Sequence, residues 1–239
     1  MLQNYEYRPG FQQDDNETDV NADMSRPVVV NTASMVWSAS PAAGVERKRL
    51  ELIGQPHPQL TTMVRFAPGS EFTEHSHDGG EEFLVLSGVF SDSFGDFGAG
   101  SYVRNPPGTR HAPFTRVGCT ILVKLRQFQV DDKRQCAIST QPDNAVAWHA
   151  VSAGADYQLL HHYRDEHVLL FRMRANATLP EVKFASGAEF YILDGSVQIA
   201  GAVFTAGDWL RFPPGSSLEI SALSTTSFYL KEGPGSRYV

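Results

Sequence analysis

His75, His77, Glu81 and His111 are the residues of this 239-residue chain whose types and spacing can do chemistry together. His75 and His77 are two apart, so in an extended strand both imidazoles leave the same face. Glu81 follows a Gly79-Gly80 turn that brings the chain back and sets a carboxylate beside them. His111 stands just past a second turn, Pro106-Pro107-Gly108. Three imidazoles and one carboxylate make a mixed nitrogen and oxygen donor set. Such a set suits Zn, Fe(II), Mn, Ni or Cu, with no thiolate present to favour a soft metal. Inside a small apolar barrel these four groups would cost several kcal/mol of desolvation unless a cation paired them. The expected cofactor is therefore one divalent transition metal.

The elements that must position these donors read as strands. From Pro27 onward, short apolar runs such as Val28-Val29-Val30, Leu60 to Phe66, Phe83 to Leu86 and Cys119 to Leu125 alternate with Gly, Pro, Asn and Asp. No segment sustains a period of 3.6 between caps, so helices are expected to be few and short. Sliding the chain by 107 residues lays Phe83-Leu84-Val85-Leu86-Ser87-Gly88 on Phe190-Tyr191-Ile192-Leu193-Asp194-Gly195, and Pro106-Pro107-Gly108 on Pro213-Pro214-Gly215. Arg104 falls on Arg211 at the same offset, and upstream the register slips by three or four, with Gly44 near Gly154. The chain reads as two copies of one unit: all-β, two tandem jelly-roll barrels. The expected boundaries are an acidic N-terminal arm over residues 1–30, a metal-binding unit over 31–135 and a metal-free unit over 136–239. At the 107 offset the four donors become Val182, Phe184, Ala188 and Leu218, so a filled apolar core is expected in the second copy.

Charge and composition set further bounds. Of the net charge of −7, residues 1–25 supply −5: Glu6, Asp14, Asp15, Glu17, Asp19 and Asp23 against Arg8. The nearly neutral remainder offers no basic face for phosphates, which argues against nucleic acid as a partner. No run approaches the roughly 18 apolar residues of a membrane helix, and the N-terminus lacks the features of a secretory signal. A cytoplasmic protein with no membrane association is expected. The two cysteines, Cys119 and Cys136, form no CxxC pair and imply neither a disulfide framework nor a thiolate site.

The stretch Gly69-x5-His75-x-His77-x3-Glu81-x6-Gly88 resembles the first motif of the cupin superfamily, and Gly100-x5-Pro106-x-Gly108-x2-His111 resembles the second. The spacing of that motif selects Glu81 over Glu82. Strand parity agrees, since Glu81 shares a face with Phe83 and Val85 while Glu82 shares the other with Leu84 and Leu86. The Asn usually found after three intervening residues beyond the last His is here Thr115. Within cupins, residues 80–92 with Gly100-Ser101-Tyr102 and Arg104-Asn105-Pro106-Pro107-Gly108 look like the ChrR-type subfamily, closely over residues 36–128 and as a degenerate copy beyond. The helical zinc domain with which ChrR grips a sigma factor has no counterpart before Pro27, so that route is not expected here.

What the resemblance implies about function divides three ways. A zinc-holding, stress-sensing regulatory module, of the kind that serves an anti-sigma factor, is the first expectation. An Fe(II)-dependent dioxygenase cleaving a small diketone or related oxygenated compound is the second, and a non-catalytic scaffold the third. No catalytic residue is assigned. Tyr102, Arg104 and Cys119 are the further candidates for the pocket, with Asn105 and Arg110 beside them; the recurrence of Arg104 as Arg211 favours a structural salt bridge. His161, His162 and His167 have no motif partner and are read as solvated or satisfied side chains. The expected partners are a small-molecule ligand or a regulatory protein, and a second copy of the chain in a homodimer.

Overall fold

The computed structural model describes residues 19–54, 56–141 and 146–233. Strands dominate: among the described residues there is no α-helix, and the one helical element is the 3-10 turn Thr32–Ser34. Among those residues no helix is long and apolar enough to cross a membrane. The short apolar runs of the sequence become strands because β-branched and aromatic side chains fill one face of a pleated ribbon while glycine turns reverse it. Gly88 shows why some of those turns admit no other residue. Its φ is +73°, and a Cβ there would lie 2.0 Å from the Gly118 carbonyl; its counterpart Gly195, at +75°, would meet the Thr225 carbonyl at 2.1 Å.

The chain forms two units. In the first, one antiparallel sheet runs in the order Cys136–Ser139, Ser101–Asn105, Glu81–Asp92, Cys119–Leu125, Gln59–Phe66, Val45–Ile53, Ser38–Ala39. Gly95–Gly98 pairs with the far half of Glu81–Asp92, and the two-residue strands His75–Ser76 and Arg110–His111 pair with each other. Phe66, Phe83, Val85, Phe90, Ile121 and Val123 are central to its core. In the second, the sheet runs Val28–Asn31, Asp208–Phe212, Ala188–Asp194, Thr226–Glu232, Glu166–Met173, Ala155–Tyr163, His149–Ser152, with a further four-stranded sheet of Thr178–Phe184, Ser216–Ala222, Ser196–Ile199 and Ala202–Thr205. Phe184, Ala188 and Leu218, which stand where three of the donors stand in the first copy, belong to its apolar core, and Val182 packs against it.

The unit boundaries differ from those expected, and the reason is an exchange of edge strands. Val28–Asn31 pairs with Asp208–Phe212, setting Val28 opposite Arg211 and Asn31 opposite Asp208. Cys136–Ser139 pairs with Ser101–Asn105 in the equivalent register, setting Cys136 opposite Arg104 and Ser139 opposite Ser101. The match continues one residue further: Thr32 and Thr140 each donate from backbone and hydroxyl to the carbonyls of Gly207 and Gly100. Each copy's opening strand thus completes the other copy's sheet. Residues 23–35 accordingly belong with 146–233, and residues 136–141 with the first barrel. The expected acidic arm is corrected at its end too. Val20 and Leu52 exchange backbone hydrogen bonds of 2.9 Å, and Asn21 Nδ2 donates to the Leu50 carbonyl at 2.7 Å. Residues 1–18 of that arm lie outside the described residues.

Candidate metal centre

Four backbone features gather the donors. His75 and His111 face each other across the strand pair His75–Ser76 and Arg110–His111. His77 is fixed by its own backbone, its N–H donating to the Thr109 carbonyl at 2.9 Å and its carbonyl accepting from Gly108 at 2.8 Å. Glu81 opens the strand Glu81–Asp92, opposite Asn105. The ligand atoms of His75, His77, Glu81 and His111 all lie within 4.8 Å of one another. Glu81 Oε2 is 3.4 Å from His77 Nδ1 and 3.5 Å from His111 Nε2.

Neighbouring groups set the ring orientations. His75 Nδ1 donates to the Thr73 carbonyl at 3.0 Å, which leaves Nε2 as the lone-pair nitrogen. His111 Nδ1 donates to Asp92 Oδ2 at 2.8 Å, and Asp92 is itself held by the Phe94 N–H at 2.7 Å. A carboxylate behind an imidazole fixes its tautomer and raises its basicity toward a metal. Asn105 Nδ2 donates to Glu81 Oε2 at 3.3 Å, and Gln135 reaches back to Asn105.

The cluster is electrostatically unfinished on its own. His77, His111 and Glu81 are 3–7% exposed, yet both ring nitrogens of His77 and Nε2 of His111 have no hydrogen-bond partner. Burial pushes the His77 imidazolium down to about 3, with the neighbouring His111 and His75 adding to the effect. Burial lowers His75 as well. It raises Glu81 to about 7, against the pull of His111 and Asn105. Neutral imidazoles with inward lone pairs beside a buried carboxylate are what a divalent cation would satisfy, so the donor set fits a metal.

The donors open onto a cavity of about 320 Å³. Its walls are mostly apolar, with Leu60, Val64, Phe66, Phe72, Ile121 and Val123 prominent. Asp78, Arg126 and Arg47 supply further charge, and Arg126 is engaged with Asp78 at 3.1 and 3.2 Å.

The further pocket candidates lie elsewhere. The Tyr102 hydroxyl donates to Glu82 Oε2 at 2.6 Å, and Arg104 binds Glu82 at 2.5 Å and Asp132 at 2.6 Å while stacking on Phe128. Both belong to the face of Glu82, opposite that of Glu81, and neither lines the cavity. Cys119 also lies off the cavity, packed in the core; burial raises its thiol to about 11. Arg110 is exposed, and Thr115 donates to the Val89 carbonyl at 2.6 Å. His162 stacks on His167 within the second unit, with ring centroids 4.5 Å apart. Asp92 was not singled out by motif reading, and Asn105 was singled out for a different role. Their positions at the 107 offset carry a signal: Asp92 and Asn105 become the apolar Ile199 and Phe212, as the four donors become apolar.

Two antiparallel barrels, one with inward imidazoles and a carboxylate and the other with an apolar interior, define a two-barrel protein of the cupin fold. The chain belongs to the ChrR Cupin-like domain family, whose model matches residues 25–129 and 137–235. No curated protein matches it significantly. Among solved structures, a putative dioxygenase from Nostoc punctiforme is similar at TM-score 0.72 and 14% identity, covering 90% of this chain and 85% of that one. The bacterial pirin YhhW of Escherichia coli in complex with nickel(II) aligns at TM-score 0.64 and 15% identity, covering 87% and 99%. Salicylate 1,2-dioxygenase of Pseudoaminobacter salicylatoxidans, solved as adducts with gentisate, aligns at TM-score 0.64 and 11% identity, covering 89% and 82%. At these identities the likeness is one of fold.

Proposed function

We propose that the first barrel holds one divalent transition metal on His75, His77, Glu81 and His111 and acts as a dioxygenase on a small oxygenated molecule. The observation that carries this reading is a buried four-donor cluster opening onto a largely apolar cavity of about 320 Å³, within the range of small-molecule sites. The dioxygenases among the structural neighbours support the same chemistry. When bound, the metal supplies Lewis acidity and, as Fe(II), the capacity for dioxygen chemistry. The protein's own part is positional. Thr73 and Asp92 aim the His75 and His111 rings, Asn105 steadies Glu81, and Phe66, Phe72 and Ile121 exclude water from the molecule held above the donors.

The zinc-sensor reading draws on the family likeness alone. It leaves the cavity without a purpose, and the buried, raised thiol of Cys119 is a poor first target for an oxidant. Metal analysis of protein purified without chelator, followed by dioxygen uptake of the Fe(II)-loaded protein with diketones and aromatic acids, tests the proposal. Turnover of one of these with stoichiometric iron is the expected result. Metal binding without turnover on any of them returns the protein to the regulatory reading.

A further inference from the structure

The second barrel shows what fills the space that the first leaves open. Val64 and Ile121 line the cavity and pair directly across neighbouring strands. At the 107 offset they become Phe171 and Phe228, which pair in the same register. Those two rings are stacked, with centroids 5.1 Å apart and planes 12° from parallel, and both are buried.

The stack belongs to a file of rings. Phe228 lies 5.8 Å from Phe190, and Phe190 lies 5.9 Å from Phe184. Phe190 is the counterpart of Phe83, and Phe184 is that of His77. The file therefore begins at the positions of Val64 and Ile121 and ends at the position of a metal donor. In the first barrel its first two rings are replaced by aliphatic side chains and its last by an imidazole, and those three residues border one cavity.

The first barrel is not short of aromatic side chains; it carries them elsewhere. Phe66 and Phe90 stand where the second barrel has Met173 and Val197, and Phe72 stands where it has Leu179. Phe90 packs on Phe83 at 4.6 Å and on Phe66 at 5.9 Å, so these rings hold one another at the edge of the space. Phe66, Phe72 and Phe90 line the same cavity as Val64 and Ile121. A ring placed there would have aromatic company, and contact between rings adds attraction beyond the apolar area buried.

We propose that the wall of Val64 and Ile121 is an aryl subsite, so that the molecule taken by the first barrel chelates the metal through two oxygens and carries an aromatic ring where the second barrel carries Phe171 and Phe228. This rests on the reading of the preceding section and narrows its substrate to an aryl-substituted dicarbonyl or hydroxycarbonyl compound. The second barrel's own side chains then stand as the image of the occupied first barrel.

The test uses the full chain loaded with Co(II), whose visible spectrum reports ligand binding without turnover. The probes are three β-diketones that share the chelating group and differ at one end: acetylacetone with a methyl, benzoylacetone with a phenyl and its analogue with a cyclohexyl ring. Each affinity is taken relative to that of the same diketone for Co(II) in water. The phenyl compound is expected to bind about tenfold or more tightly than the methyl one, which is roughly 1.4 kcal/mol, and about threefold more tightly than the cyclohexyl one. Val64→Phe and Ile121→Phe restore the second barrel's rings and should each abolish the phenyl advantage at wild-type Co(II) content. Absence of a phenyl advantage over methyl in the wild type overturns the subsite, and an equal gain from the cyclohexyl end overturns its aromatic character. A phenyl advantage that survives in both variants overturns its location. The wild-type comparisons decide the matter even if a variant folds poorly. Failure of the wild type to take up Co(II) would instead remove the metal centre itself, so the two readings fail separately.

Discussion

The two barrels of this chain agree on one face of their sheets and differ on the other. On the face of Glu82, the first barrel places Tyr102 and Arg104, with the tyrosine hydroxyl bonded to Glu82. The second barrel places Glu189, Trp209 and Arg211 at the same offset, and the Trp209 Nε1 donates to Glu189 at 2.8 Å. Lys124 and Lys231 also correspond, and both are buried. On the opposite, inward face the correspondence breaks at the four donors, and equally at the residues behind them: Asp92 becomes Ile199 and Asn105 becomes Phe212. The difference teaches that a metal site is exchanged as a unit. A supporting Asp or Asn without its imidazole or carboxylate would be a buried polar group with nothing to bond, at a cost of about 1–3 kcal/mol each.

The comparison can be broken most directly at the donors. His75→Ala or His111→Ala should lower bound metal from about one per chain to a small fraction of that, while Val182→Ala should leave it unchanged. Elemental analysis of the purified variants reads this out, and full metal content in the His variants would end the assignment. Next in size is packing. Phe184→Ala in the second core should cost about 3–5 kcal/mol. His77→Ala, its counterpart, should cost far less in metal-free protein because it removes a ring with no hydrogen-bond partner. Urea denaturation of both variants with chelator present separates them.

Asp92→Ala should weaken metal affinity about 10–100-fold through loss of the His111 contact, whereas Ile199→Val should not touch it. Competition with a metal indicator gives the ratio. Proton release sharpens the same point. With Glu81 raised to about 7, the metal-free carboxyl is protonated below that pH and must ionise to bind, so metal uptake should release about one proton at pH 6 and almost none at pH 8. Calorimetry in buffers of different ionisation enthalpy measures it, and Glu81→Gln should remove the pH dependence. The smallest effect belongs to Cys119→Thr, which copies Thr226 of the second barrel; stability should stay within about 1 kcal/mol and metal content should be unaltered. A large change in oxidant response in that variant would restore a thiol switch.

Much of the site was legible because its information is local. The His75-x-His77-x3-Glu81 spacing and the turn before His111 fix which side chains converge, and strand parity separates Glu81 from Glu82. The same parity, carried across to the partner strand, would have put Arg104 with Glu82 and off the cavity, because those two residues are directly paired. That step needs the pairing register, which the sequence does not print. Asp92 reaches His111 because its strand, Glu81–Asp92, runs the full length of the motif and returns its last residue to the second turn. The edge strands were illegible for a different reason. Val28-Val29-Val30-Asn31 and Cys136-Ala137-Ile138-Ser139 share a pattern but almost no identities, and nothing in four residues says which of two similar sheets they will join.

That exchange of edges has a consequence for how the protein is made. Val28–Asn31 leaves the ribosome early, yet its hydrogen-bonding partner Asp208–Phe212 is synthesised about 180 residues later, a wait of roughly 10–40 s. Once Cys136–Ser139 has emerged it takes the matching edge of the first copy, and the apolar strand then has no mate until Asp208–Phe212 follows. The first barrel, by contrast, has every strand it needs as soon as residue 139 has emerged. Metal loading can therefore precede completion of the chain, and a nascent polypeptide halted between the two copies would carry a finished centre and one unpaired, aggregation-prone ribbon.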